Sequence, residues 1–322
     1  MRTRATELFG IKYPIFCGGM FWICEPNLCA AISNAGGLGN ITAAHYENGE
    51  ELRKAIIATR EMTENPFSIN ITMLPSRMTQ EQYDDYYRVC CEERVAAIEA
   101  SGAPADRYID QVHAAGIKII HKVGSLRHAL YAQKVGYDAV YAAGVEEGGH
   151  PDFDDVTSLI LTPRLAESLA IPVITTGGIA DGRGLAAALT LGAEGVMMAT
   201  RFMATTECRI HNNIKNELVK RQENDTVLVC KSINLQGRAL KSPLVDEVIR
   251  IENSGGGIEE LRPLITGQRM IKACTTGNVD DAVWYVGQTI GLIKDIVSCK
   301  ELLDRMVLDA EEILRNNLGK FI

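Results

Sequence analysis

The stretch Thr175-Thr176-Gly177-Gly178-Ile179-Ala180-Asp181-Gly182 has the composition of an anion-holding turn. It follows an apolar run, 172–174, and leads into a segment of helical period. Adjacent glycines let backbone N–H groups approach a ligand closely, and Asp181 stands where a helix N-cap belongs. Further along, Met198-Ala199-Thr200-Arg201-Phe202 offers more N–H and hydroxyl donors at the end of another apolar run. Two such stretches at neighbouring strand ends point to a phosphate site rather than a pair of unrelated tight turns. Lys122 ends a third apolar run. An ammonium there is costly to bury unless an anionic or electron-rich partner faces it. Reduced flavin is one such partner; snorkelling to solvent is the alternative. His150 closes a Gly148-Gly149-His150 turn, placed to give a proton to a substrate or take one from it. The residue alone leaves this role and a structural one open. His45, His113, His128 and His211 have no comparable setting, and His121 should face away from Lys122 across its strand. Glu146 and Glu147 are neighbours that would face opposite ways, so they form no acid–base dyad.

Apolar, β-branched runs that could carry these residues lie at 14–17, 37–41, 67–73, 95–99, 117–123, 139–142, 172–176 and 195–198. Helix-period segments alternate with them at 26–35, 49–62, 80–94, 105–115, 125–135, 158–169 and 182–191. Eight strands alternating with helices predict a parallel (β/α)8 TIM barrel, whose working residues sit at the C-terminal strand ends. Those ends read Gly18-Gly19-Met20, Asn70-Ile71-Thr72, His121-Lys122, Glu146 to His150, Thr176-Gly177-Gly178 and Thr200-Arg201. The run 95–99 also continues the pattern of the helix before it. From Cys208 the rhythm is mostly helical with no clear strand. The expected organisation is a barrel over 1–222, an appended helical module on the substrate side over 223–298, and a C-terminal helix, 299–322, packing back on the barrel. A loop at 75–88 reaches toward the module.

The 322 residues, 46% hydrophobic, can bury one large core and a smaller appended one. A net charge of −8 without basic runs gives no nucleic-acid surface. Nine cysteines without a CxxC pair suit free thiols in a reducing cytoplasm and no metal site. No apolar stretch approaches the roughly 20 residues of a membrane span. GxSxG, Walker A and GxGxxG motifs are missing. A nicotinamide cofactor would therefore bind transiently and not in a fold of its own.

Several stretches together resemble the nitronate monooxygenase, or 2-nitropropane dioxygenase, superfamily. They are Tyr13 to Met20, Ser33 to Gly39, Pro66 to Asn70, His121-Lys122 with Arg127 to Leu130, Glu147 to His150, Gly177 to Gly182 and Thr200 to Phe202. Gly267-Gln268-Arg269 and Trp284 to Gly291 extend the similarity over nearly the whole chain. That superfamily also holds flavin-containing enoyl-acyl-carrier-protein reductases and an NADH:quinone reductase group, which this chain resembles most. The resemblance implies bound FMN, held by Gly19, Met20, Phe21, Thr72, Lys122, Gly148, Thr176, Gly177, Gly178, Ala199 and Thr200, with His150 as the active-site histidine. It implies a loop from Pro75, including Arg77, that helps hold NADH or NADPH as a transient co-substrate. Three positions depart from the pattern: Cys17 for the usual Gln, Ala199 for Gly, and Arg77 where the quinone reductase group has Gln. The expected activity is hydride transfer from NAD(P)H through FMN to an organic acceptor, a quinone or activated alkene, in a possible homodimer. Oxidation of alkyl nitronates with O₂, enoyl thioester reduction and non-catalytic flavin binding are the alternatives.

Overall fold

The computed structural model describes residues 1–74 and 78–317. Eight parallel strands follow the chain around a ring: β1 (Ile15–Cys17), β2 (Gly39–Thr42), β3 (Phe67–Met73), β4 (Ala97–Gly102), β5 (Lys118–Val123), β6 (Ala139–Ala143), β7 (Val173–Thr176) and β8 (Gly195–Met198). From β2 to β8 each strand pairs with the next, and β8 pairs with β1. Between β1 and β2 a parallel bridge, Phe16 with Leu38, completes the ring. The Cys17 N–H donates to the Leu38 carbonyl and the Leu38 N–H to the Ile15 carbonyl, both at 2.9 Å. Helices separate the strands, so the alternation in the sequence does produce a (β/α)8 barrel.

The strand expected at 95–99 lies instead at Ala97–Gly102. Arg94 caps the preceding helix, Gln80–Glu93, in a left-handed conformation (φ 47°, ψ 56°), and the chain then spends Val95 and Ala96 reaching the sheet. Glu99 therefore stands in mid-strand, not at an end. The other strand boundaries agree with the sequence pattern to within two residues.

Strand periodicity sorts the barrel interior into layers. Phe16, Leu38, Ala97, Ile120, Tyr141, Ile174 and Met197 fill the lower part. The helix Arg4–Phe9 plugs the N-terminal end, with Phe9 meeting Phe16 edge-on at 5.5 Å and Phe16 meeting Tyr141 at 6.0 Å. Burying a side chain such as Phe9 contributes about 1.5–3 kcal/mol. Two residues further along the strands the same face changes character: Gly18 follows Phe16, Glu99 follows Ala97, Lys122 follows Ile120 and Thr176 follows Ile174. The apolar floor thus dictates where the polar layer begins.

Beyond the barrel, the region read as helical also contains a two-stranded antiparallel ribbon, β9 (Thr226–Val229) and β10 (Gly237–Leu240). Its strands were not apparent because Thr-Val-Leu-Val does not alternate and Gly-Arg-Ala-Leu opens on glycine; runs this short suit helix and strand alike. Cys230 and Asn234, both at positive φ, turn the chain between them. Val229, Ala239, Val245, Val248 and Leu261 form the small core under the ribbon. The C-terminal helix Cys299–Glu312 buries Leu302, Leu303, Met306 and Ala310 in one cluster with Leu185 and Ala186 of the helix Gly182–Thr190. No described helix is long and apolar enough to cross a membrane.

Asp181 caps the helix Gly182–Thr190, its Oδ1 accepting from the N–H groups of Arg183 (3.0 Å) and Gly184 (3.3 Å). Burial pushes its carboxyl up, but Arg183 and these N–H groups outweigh burial and hold it below the usual range. Asp181→Ala is expected to lower unfolding stability by about 1 kcal/mol at neutral pH. A carboxyl whose folded pKa is depressed stabilises fully above its unfolded value, and that stability is lost as pH falls through the folded one. Urea denaturation should therefore show the difference shrinking in acid; a difference independent of pH contradicts this account.

Candidate active site at the barrel mouth

The polar layer opens into a cavity of about 190 Å³ at the C-terminal ends of the strands. Gly18, Gly19, Thr72, Glu99, Lys122, Gly148, His150, Thr176, Gly177, Gly178, Ala199 and Thr200 all line it. Beside it runs a largely apolar groove of about 480 Å³, bordered by Pro104, Tyr131, Phe153, Ile233 and Gln236. Cavity and groove share Leu74, Gly102, Lys122 and His150.

Lys122 projects from β5 and is four-fifths buried. Its ammonium donates to Glu147 Oε1 at 2.9 Å and to the His150 carbonyl at 3.1 Å. Burial raises the Glu147 carboxyl above its ordinary range, against the pull of Lys122. On β4, Glu99 is only 2% exposed. It accepts from the Gly19 N–H (3.1 Å), Asn40 Nδ2 (2.6 Å) and the Ser101 hydroxyl (3.2 Å). Burial raises this carboxyl too, opposed by Lys122 and then by these donors. Glu146 turns the other way and accepts from the Ser158 N–H and hydroxyl (2.9 Å), capping the helix Ser158–Ala166. The two neighbouring glutamates do diverge, in a turn rather than in a strand.

His150 is oriented by the appended ribbon. Its Nδ1–H donates to the Gln236 carbonyl at 2.8 Å, and its ring lies 5.3 Å from that of Tyr285. This hydrogen bond selects the tautomer: the neutral ring carries its proton on Nδ1 and its basic lone pair on Nε2. The loop bearing His150 is tied down at both flanks. Gly149 and Arg238 exchange backbone hydrogen bonds (3.3 and 2.7 Å), and the Arg238 guanidinium donates to the Val145 carbonyl at 2.9 Å. His121 faces away, donating to the Ala100 carbonyl at 3.0 Å and stacking on Tyr137.

The Gly177-Gly178 turn has φ of +88° and +79°, a region that favours glycine. A Cβ on Gly178 would meet nothing closer than the Ser158 hydroxyl, at 3.4 Å. Among the described residues no acceptor takes the N–H of Gly178 or Thr200, so both remain available to an anionic ligand. Gly148 serves a different need. There the chain crosses the segment after Trp284 so closely that a Cβ would lie 2.6 Å from the Gly287 nitrogen. Gly287 in turn donates to the Thr200 hydroxyl at 3.0 Å, and Gln288 to the Glu146 carbonyl at 2.9 Å.

Two residues expected at the ligand do not line the cavity. Met20 is buried in the core behind it, its carbonyl accepting from Ile23 and Cys24, because the chain turns away after Gly19. Phe21 packs toward Gly267 of the appended module, where a Cβ would meet its ring at 2.6 Å. Pro75 and Arg77 lie outside the described residues. Conversely, Glu99, Ser101 and Thr289, absent from the strand ends read in the sequence, also line the cavity, as do Asn70 and Glu147, which were placed at strand ends without a role at the ligand. A glutamate inside the apolar strand Ala97–Gly102 was a usable signal; Thr289, delivered by the chain's far end, had none. Among the described residues no group of three or more His, Cys, Asp or Glu could hold a metal ion.

Gly148→Val is expected to force the crossing backbones apart and cost about 1–3 kcal/mol, as overpacking does. An unchanged urea midpoint would show that the crossing tolerates a side chain.

Comparison with known proteins places this geometry in context. The family profile described as nitronate monooxygenase matches residues 2–309. A relative from Rhodococcus jostii (strain RHA1), named (3aS,4S,5R,7aS)-5-hydroxy-7a-methyl-1-oxo-octahydro-1H-indene-4-carboxyl-CoA dehydrogenase, is 33% identical over 96% of each chain. A probable nitronate monooxygenase of Staphylococcus aureus is 30% identical over 78% of this chain and 81% of its own. The structure of FabK from Thermotoga maritima superposes with a TM-score of 0.93 at 35% identity, covering all of both chains.

Proposed function

The chain belongs to the nitronate monooxygenase family and is a redox enzyme, and from that premise we propose that it uses FMN to pass hydride from NADH or NADPH to an organic acceptor, an activated alkene or a quinone. The family is generally FMN-dependent. The observation that carries the proposal is the convergence, at one open mouth, of unpaired backbone N–H groups, a buried ammonium and a histidine of fixed tautomer.

These residues suit FMN chemically. Gly177, Gly178, Ala199 and Thr200 would hold the phosphate through backbone N–H groups and the Thr200 hydroxyl. Thr176 would add a hydroxyl, and Gly19, Thr72 and Gly148 would border the ring without bulk. FMN, when bound, supplies a ring that accepts hydride and passes reducing equivalents on. Lys122, at the cavity wall, would supply positive charge to that ring. His150, which lines the mouth and carries its basic lone pair on Nε2, would donate or accept the proton that accompanies the hydride on the acceptor. The groove beside it, within the roughly 300–1,000 Å³ common for small-molecule sites, takes the acceptor's apolar body. Among acceptors, an activated alkene or carbonyl carried on a thioester has the support of the Rhodococcus relative, whose name specifies a carboxyl-CoA compound. The loop containing Pro75 and Arg77 is proposed to contact the nicotinamide donor.

Anaerobic mixing with NADH or NADPH should bleach the bound flavin rapidly. A flavin reduced by an alkyl nitronate but by neither nucleotide would instead favour nitronate oxidation. His150→Gln should leave flavin reduction by the nucleotide nearly unchanged, since that step needs no protein proton. Turnover with the acceptor should fall about 10²–10⁴-fold; equal loss in both half-reactions contradicts the assigned role.

A further inference from the structure

The charges beneath the mouth do not cancel. Lys122 is paired with Glu147 at 2.9 Å, and Glu99, buried in the same layer, also acts on its ammonium. With both carboxylates ionised the set sums to 1 − 2 = −1 in a largely desolvated place. On the functional reading above, hydride arrival adds a further negative charge to the same cavity. An ammonium already neutralised by a carboxylate offers that charge little, and accumulating like charge in a low dielectric is costly.

The two carboxylates are not equivalent. Glu99 accepts from three donors besides feeling Lys122, and hydrogen bonds of that kind favour the ionised form. Glu147 accepts from Lys122 alone among the described residues. The groups around Glu147 are few. Glu146, adjacent in the chain, opposes its ionisation while itself bound to Ser158. Arg238 is turned onto the Val145 carbonyl, and the backbone carbonyl of His150 takes a second hydrogen bond from Lys122. Glu99 is flanked by Tyr141, held neutral by burial, and by Cys17, held neutral by its contact with Cys24 and then by burial. Glu147 also lines the cavity, whereas Glu146 does not.

We propose that Glu147 is the proton-accepting partner of the redox site, taking up a proton as negative charge enters the cavity and so releasing Lys122 to face that charge. The balance is one hydride in from NAD(P)H, bringing two electrons and one proton, and one further proton from solvent. That second proton forms an O–H bond on the Glu147 carboxylate as the ion pair with Lys122 dissolves. Before reduction the ammonium is spent on Glu147; afterwards it is spent on the cofactor. The proposal rests on the FMN reading and adds to it a residue that acts through Lys122.

The test uses the FMN-loaded protein reduced chemically, so it does not depend on any nucleotide donor. Glu147→Gln keeps the shape and fixes the neutral state. The midpoint potential of the flavin in the wild-type protein should fall with pH more steeply than in E147Q. For a two-electron couple the excess of one proton is a tenfold change per pH unit, about 30 mV. Equal slopes overturn the proposal. Reduced-minus-oxidised infrared spectra give a second reading that survives a variant unable to hold FMN. A protonated carboxyl band should appear on reduction of the wild-type protein and persist in E99Q; its absence from the wild-type spectrum also overturns the proposal. Failure of NAD(P)H to bleach the flavin would sink the choice of donor while leaving this test intact. A protein that takes up no FMN overturns both readings.

Discussion

The ion pair of Lys122 and Glu147 is the constraint around which the mouth is organised. An ammonium brought into the top of a barrel must always face some anionic partner, because leaving half of a buried pair uncompensated costs about 3–5 kcal/mol. The partner comes from the turn after β6, so that turn must be held at a fixed height above β5. It is held from below by Lys122, which also binds the His150 carbonyl, and from outside by the ribbon β9–β10. The histidine is the last residue of that turn. Its place and its tautomer both follow from the turn's restraint.

The appended region therefore does more than cover the barrel. Arg238 binds the Val145 carbonyl, Gln236 offers its carbonyl to His150, and its side-chain amide donates to the Asp152 carbonyl at 3.0 Å. The crossing of Gly148 with Gly287 brings the segment after Trp284 over Thr200, next to the loops that can bind an anion. One end of the chain thus sets the geometry of residues presented by the middle. Loss of a contact in the ribbon would be felt at the histidine before it was felt in the barrel core.

Much of this was legible in the sequence because strand period and strand-end composition are local properties. The placement of Lys122, the Gly177-Gly178 turn, the Asp181 cap and the opposed faces of His121 and Lys122 needed only alternation and cap chemistry. Glu99 was missed because the run 95–99 also continues the pattern of the helix before it, so its end was not read with the other strand ends; the strand begins two residues later, after the left-handed Arg94. The displacement of Met20 and Phe21 from the cavity depends on where the chain turns after Gly19, which packing decides. The Gln236 contact to His150 spans 86 positions and joins a backbone carbonyl to a side chain. No pattern of residue types encodes a contact of that kind.

The proposed function would seat a flavin phosphate on the loops after β7 and β8, with Lys122 and His150 at the ring. Calorimetric titration of the flavin-free protein with FMN and with riboflavin tests it most directly. One FMN should bind per chain, and riboflavin, which lacks the phosphate, should bind at least about tenfold more weakly, since each charge-assisted hydrogen bond is worth roughly 1.5–3 kcal/mol. Equal affinity for the two, or no binding of either, would contradict the account.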